Sequence, residues 1–171
     1  MADKENKEHP THEEAVQKLA AMIKGIDIGM LTTIAEDGTL HSRPMRAQDV
    51  EFNGDLWFMT KADSDKVHEI EVNPQVSVSF ARPDKQNYVS VSGTGELVRD
   101  RTKIDEFWSP IYISFFPEGK DDPNLALIKV SVEQAEYWGS PSSPVVFMAG
   151  FLKVKLTGKQ LQVGENEKID L

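Results

Sequence analysis

The sequence predicts a mainly β fold, an antiparallel barrel or sandwich with helices at its margins. Three observations predict it. "QVSVSFAR" and "YVSVSGTGELV" alternate apolar and polar residues with period two, the pattern of half-buried strands. Turn signals recur at short spacing, at "EDG" (36–38) and "NGD" (53–55). Most of the predicted strands follow one another with no helix between them, which disfavours a parallel α/β sheet.

The 171 residues suit one domain with a continuous core. Hydrophobic residues make up 39% and charged residues 27%, the balance of an ordinary globular chain. A net charge of −9 argues against a nucleic-acid partner and against an anionic membrane surface. No apolar run is long enough to span a bilayer. With no cysteine, disulfides, thiol nucleophiles and cysteine-ligated metals are excluded. The start, "MADKENKEHP", has no apolar stretch of the secretory kind, so the expected location is the cytoplasm.

Residues 1–10 read as a disordered leader. A helix is predicted from Thr11, because Thr11 and Glu14 have capping-box spacing and Val16, Leu19, Ala20 and Ile23 mark one face. Gly25 ends it. "IDIGMLTTIA" and "TLHSRPMRAQ" form a hairpin about "EDG". "NGD" is expected to make a second hairpin from "DVEF" and "LWFMT". A helix starts at Ser64 and closes at Asn73–Pro74. After the two alternating strands come a short helix near 100–108, a loop through "FFPEGKDDPN", and a strand in "LALIKVSVEQAEYW". A late helix is expected over about 143–157, with Ser143 as its cap and Pro144 in its first turn. The single domain is taken as 11–158. The polar tail, 159–171, reads as loose.

One stretch points to chemistry. In "LWFMTKADSDK" (56–66) a buried strand gives way at once to hydroxyls and ammonium groups: Thr60, Lys61, Ser64 and Lys66. A helix N-terminus offers free N–H groups and partial positive charge, so this cluster suits an anion such as a phosphate. The alternative is that Ser64 caps the helix and the lysines are solvated. Arg43, in the strand-like "HSRPM", adds a bidentate partner for a phosphate, and Pro44 marks an irregular or edge strand there.

These pieces, in this order, carry a resemblance. "SRPM", "LWFMTKADSDK", "VHEIEVNPQVSVSF" and "YVSVSGTGEL" resemble the FMN-binding split-barrel proteins related to pyridoxamine 5′-phosphate oxidase. Within them the chain looks most like the bacterial general stress protein group. "FWSP", "FFPEG" with "DDP", and "AEYW" are similar to the same group. The resemblance covers about Ala15 to Gly158.

It implies an antiparallel, Greek-key-like split β-barrel of about six to seven strands with peripheral helices. It implies a homodimer with FMN, or FAD, at the interface. Arg43, Ser64 and Lys66 would hold the phosphate, with Thr60 beside them. The chain at Pro44 and Met45, and at Phe58 and Met59, would run along the isoalloxazine ring. Tyr88 and Ser90 would contribute across the interface, and Trp108 is a candidate to reach a neighbouring flavin. Asp65 departs from the oxidase pattern, where a basic residue is common, which leaves it turned to solvent or weakening the phosphate grip. The arginine-rich C-terminal segment of the true oxidases has no match, since no arginine follows Arg101; oxidation of pyridoxamine 5′-phosphate is not expected. The implied activity is that of a flavin-dependent oxidoreductase linked to stress. The alternatives are a non-catalytic flavin-binding buffer or sensor and a structural dimer whose flavin site has decayed. No catalytic acid or base is assigned.

Other constellations carry less. His9 and His12 lack a third ligand, so no metal is expected. His68 reads as a surface residue. Trp57, Trp138, Phe115 and Phe116 read as core or interface aromatics. No nucleophile elbow is present. "SGTG" (92–95) reads as a bulge or a close backbone approach.

Overall fold

The computed structural model describes residues 11–139 and 165–171. Helix α1 (His12–Ile23) opens with the predicted capping box: Thr11 accepts from the Glu14 N–H, and the Glu14 carboxylate accepts from the Thr11 N–H. Its chain leaves through Gly25 at a φ of 72°, a conformation that suits glycine.

Strands β1 (Ile28–Ile34) and β2 (Leu40–Arg46) form the hairpin expected about "EDG". Strand β3 (Asp55–Lys61) then leads into helix α2 (Asp65–Val72). Strands β4 (Gln75–Arg82) and β5 (Asn87–Val98) are the two alternating segments, paired in register from Gln75–Thr94 to Arg82–Asn87. Helix α3 (Arg101–Phe107), capped by Asp100, and two short 3-10 turns lead to the long strand β6 (Leu125–Gly139). Strand β7 is Glu165–Asp170.

All pairings are antiparallel, in the order β2-β1-β4-β5-β6-β3. An isolated bridge from Ala47 to Phe58 brings the two ends of that order together, so the sheet curls into a barrel. Beyond that bridge β2 and β3 do not pair, and the barrel is split there. Inside lie Leu31, Phe58, Val78, Phe80, Val91, Ile128 and Val130, all sequestered from solvent. Ala15 and Leu19 of α1 join this core, as do Val67 and Ile70 of α2. A second cluster sits outside the barrel wall, where Met59, Leu125 and Leu127 meet Ile104 and Phe107 of α3 and Tyr112 and Phe116 beyond it.

Two expectations are corrected. "DVEF" is not a strand, and "NGD" does not join a hairpin. Phe52 is buried in the main core from an irregular segment, while β3 pairs along its whole length with β6, from Asp55–Ser131 to Lys61–Leu125. The turn itself is present: Gly54 has a φ of 105° and the Asp55 N–H donates to Asn53 Oδ1. The tail is not loose throughout, because β7 pairs with β6 from Gln134–Asp170 to Gly139–Glu165 and buries Ile169. The late helix expected over 143–157 lies outside the described residues. The bulge read from "SGTG" is present: the β5–β6 register shifts between Ser92 and Gly93. Among the described residues no helix is long and apolar enough to cross a membrane.

Candidate functional site

The split between β2 and β3 is flanked by Arg43, Pro44 and Met45 on one side and by Met59, Thr60 and Lys61 on the other. The N-terminus of α2 stands at its end. β2 follows the strand alternation: Arg43 and Met45 point inward and are half-buried, while Pro44 points outward and is exposed. Proline is tolerated because β2 has no strand partner on its second side along this stretch.

The hydroxyl-and-lysine turn converges. Thr60 is only 3% exposed, and its Oγ1 lies 3.5 Å from Ser64 Oγ. Ser64 occupies the N-cap position of α2 with extended backbone angles, yet its side chain does not cap the helix. Instead Ser64 Oγ donates to the Lys61 carbonyl at 2.7 Å and accepts from Lys66 Nζ at 3.0 Å. The first-turn N–H groups of α2 are therefore left without the side-chain partner that a capping serine supplies. Burial lowers the pKa of Lys66, and the nearby Arg43 guanidinium lowers it further. Asp65 is turned to solvent, and His68 is exposed as expected.

Arg43 is held by residues that sequence reasoning did not single out. Its Nη1 donates to Thr33 Oγ1 and its Nη2 to Glu69 Oε2 at 3.1 Å. Glu69, on α2, is 7% exposed and also bonds Thr33 Oγ1 through Oε2, at 2.5 Å, and His41 Nδ1 through Oε1, at 2.6 Å. Burial works to raise the Glu69 pKa. The hydrogen bonds from Thr33, His41 and Arg43 together outweigh it, so the carboxylate stays below its ordinary value. A glutamate among the apolar positions of a short helix was the available signal, but its partners come from β1 and β2.

The structure distributes the other candidates differently. Phe58 is sealed in the barrel core and Met59 in the outer cluster, so beside the split these two residues present backbone and not side chains. Enclosing Phe58 is worth roughly 1.5–3 kcal/mol, a core role in its own right. Tyr88 and Ser90 lie on the outer face of β5, across β1 and β4 from β2, and within one chain they do not meet the Lys66 cluster. Trp108 is half-buried against the outer cluster, its ring tilted on Tyr112 at 6.0 Å.

A concavity of about 550 Å³ lies between the end of α1 and residues 47–57. Asp27, Asp49, Glu51 and Asp55 line it, with Lys24 as the one cation among the described residues, which makes it a poor place for an anion. The split, with Arg43 and Lys66, is the better candidate. Among the described residues no group of three or more His, Asp or Glu is placed to hold a metal.

Comparison with known proteins places this geometry in context. The chain is 30% identical to general stress protein 26 of Bacillus subtilis over 122 residues, covering 68% of this chain and 83% of the relative. It is 26% identical over 167 residues to protein bli-3 of Neurospora crassa, covering 92% and 80%. The similarity thus extends to a fungus and is not confined to bacteria. The crystal structure of the general stress FMN/FAD binding protein of Xanthomonas citri superposes with a TM-score of 0.65 at 29% identity, covering 77% of this chain and 92% of that one. Residues 14–162 match the family described as pyridoxamine 5′-phosphate oxidase like, and with the split barrel and its relatives among the general stress proteins, the chain belongs to that family.

Proposed function

We propose that the chain binds FMN at the β2–β3 split, acts as a homodimer, and serves as a flavin-dependent oxidoreductase linked to stress in the cytoplasm. The observation that carries this reading is the convergence of Thr60, Ser64 and Lys66 at an α2 N-terminus that the Ser64 side chain does not cap, with Arg43 close enough to lower the Lys66 pKa. Two cations that repel one another, beside a helix N-terminus that the Ser64 hydroxyl does not cap, suit a dianion. The donor set therefore fits a flavin phosphate. The relative from Xanthomonas citri, whose name states FMN/FAD binding, supports a flavin.

Lys66 and Ser64 would bind the phosphate oxygens, and Thr60 would supply a hydroxyl at the base of the cradle. Arg43, anchored at its far side, would present its remaining N–H groups. The unpaired backbone of β2 and β3 would face the ring and offer hydrogen bonds to its polar edge. When bound, the flavin supplies the electron transfer, and the protein sets its orientation and its access to water.

A dimer is supported by the outer face of the sheet. Ile28, Met30, Leu40, Tyr88 and Trp138 are exposed there, beside the small side chains of Ser77, Ser79, Ser90 and Ser92. Exposed apolar side chains set beside small ones in this way suit a second copy.

The test has two stages. The flavin released from the purified protein by denaturation is identified by mass, with FMN expected and FAD as the alternative. Anaerobic reduction by a nicotinamide cofactor, followed by reoxidation by an acceptor, is then expected. A bound flavin that accepts no electrons would assign a buffer or sensor role and overturn the enzyme reading.

A further inference from the structure

Glu69 lies outside every expectation drawn from the sequence, yet it is the most heavily bonded carboxylate near the split. It is buried, and it accepts from Thr33, Arg43 and His41. Buried carboxylates are costly unless every oxygen is satisfied, and removing their partners leaves an uncompensated charge. Such a group is kept where its geometry does something.

We propose that Glu69 and Thr33 are positioning residues for Arg43, fixing the guanidinium plane so that it presents its free edge to the anion cradle formed by Ser64 and Lys66. The inference rests on the flavin-phosphate reading above. The guanidinium has five N–H donors in a rigid fork. Thr33 Oγ1 takes one from Nη1 and Glu69 Oε2 one from Nη2. Those two bonds hold one side of the plane, and the other three donors bond none of the described residues. Thr33 is itself locked, since its hydroxyl donates to the same Glu69 oxygen at 2.5 Å. The other oxygen, Oε1, bonds His41 Nδ1, which ties the carboxylate to β2 two residues from Arg43. Glu69 lies one helical turn after Lys66, so a single helix sets both the lysine and the orientation of the arginine.

A carboxylate this close also repels a phosphate dianion. The two effects have opposite signs, and this makes the proposal decidable. If Glu69 acts only as a charge, removing it tightens FMN. If it positions Arg43, removing it loosens FMN and leaves riboflavin, which lacks the phosphate, unaffected.

The experiment measures the dissociation constants of the flavin-free full chain for FMN and riboflavin, and takes their ratio. In Glu69→Ala the preference for FMN is expected to fall at least tenfold. In Glu69→Gln, whose amide oxygen can still accept from Arg43 while its NH2 faces His41, the preference should stay within about threefold of the parent. Thr33→Val, which keeps shape and removes the hydroxyl, should lower it at least threefold, and it decides the matter if Glu69→Ala does not fold. On an Arg43→Ala background Glu69→Ala and Thr33→Val are each expected to leave the preference unchanged, because there is no longer anything to position. A folded Glu69→Ala or Thr33→Val variant with an unchanged or increased preference would overturn the proposal, as would an equal loss with and without Arg43. A parent protein with no preference for FMN over riboflavin would overturn the phosphate reading itself, and that result differs from the failure of Glu69 alone.

Discussion

Lys66 Nζ donates to Ser64 Oγ at 3.0 Å, across the first turn of a helix that Ser64 leaves uncapped. The lysine is held in place by a residue whose ordinary task at that position is different. The serine hydroxyl and the ammonium therefore meet at the start of the helix. This is the arrangement from which the phosphate reading follows.

The first prediction concerns pH. Burial and Arg43 lower the Lys66 pKa, so the free protein loses that proton at a lower pH than an ordinary lysine does. A bound phosphate attracts the proton back. FMN affinity should therefore fall as pH rises through this depressed pKa, before the usual lysine range near 10.4. Riboflavin affinity should stay flat over the same range, and so should FMN affinity in Lys66→Ala. Titrations from neutral to alkaline pH check this, and parallel curves for the two flavins would contradict it.

A second prediction concerns acid. The Glu69 carboxylate is held below its ordinary value, so the folded state binds this proton less readily than the unfolded chain. The stability it contributes is fully present above its unfolded pKa, about 4.3, and is lost as pH falls through its lower folded value. Near neutral pH, Glu69→Gln should be less stable than the parent by about 2–3 kcal/mol, the worth of hydrogen bonds to a charged group. The two denaturant curves should converge as pH drops from 5 towards 3. A constant gap would contradict the account.

The bulge between β5 and β6 supplies the third. A Cβ on Gly93 would lie 2.0 Å from the Ser131 carbonyl oxygen, and backbone cannot yield as a side chain tip can. Gly93→Ala should destabilise the fold by about 2–3 kcal/mol, lowering the melting temperature by roughly 5–10 °C for a chain of this size. A melting temperature within a degree of the parent would mean that the strands can separate at no cost.

The fourth addresses assembly. Met30, Ser79 and Ser90 lie side by side across β1, β4 and β5 on the outer face. Ser79→Arg would set a bulky charge in the proposed interface, facing a second copy of itself if it lies near the two-fold axis, and like charges oppose association. Sedimentation should show a dimer for the parent and a monomer for the variant. A flavin-loaded parent that sediments as a monomer would contradict the interface.

What could be read in the sequence was what depends on neighbours in the chain. Thr11 and Glu14 meet within one helical turn, and the alternation of "QVSVSFAR" and "YVSVSGTGELV" sets each side chain's face by parity alone. Thr60, Ser64 and Lys66 fall within seven residues, so their convergence was legible. "DVEF" misled because Val50 and Phe52 alternate like a strand, whereas the real partner of β3 lies some seventy residues on, in β6. β7 was invisible because "ENEKID" offers one buried apolar side chain, Ile169, and is ordered by the edge of β6. The Glu69 network joins β1, β2 and α2, and no local pattern reports contacts spanning 26 to 36 residues.

The measurement that bears most directly on the central claim is the affinity of the flavin-free protein for FMN and riboflavin, with and without the Lys66 ammonium. Charge-assisted bonds to the phosphate are worth roughly 1.5–3 kcal/mol each. FMN should therefore bind at least about tenfold more tightly than riboflavin, and Lys66→Ala should remove about tenfold or more of FMN affinity while leaving riboflavin within about twofold. Equal affinities in the parent, or equal losses for both flavins in the variant, would contradict the claim and make the cluster at the end of the split a structural feature of the fold.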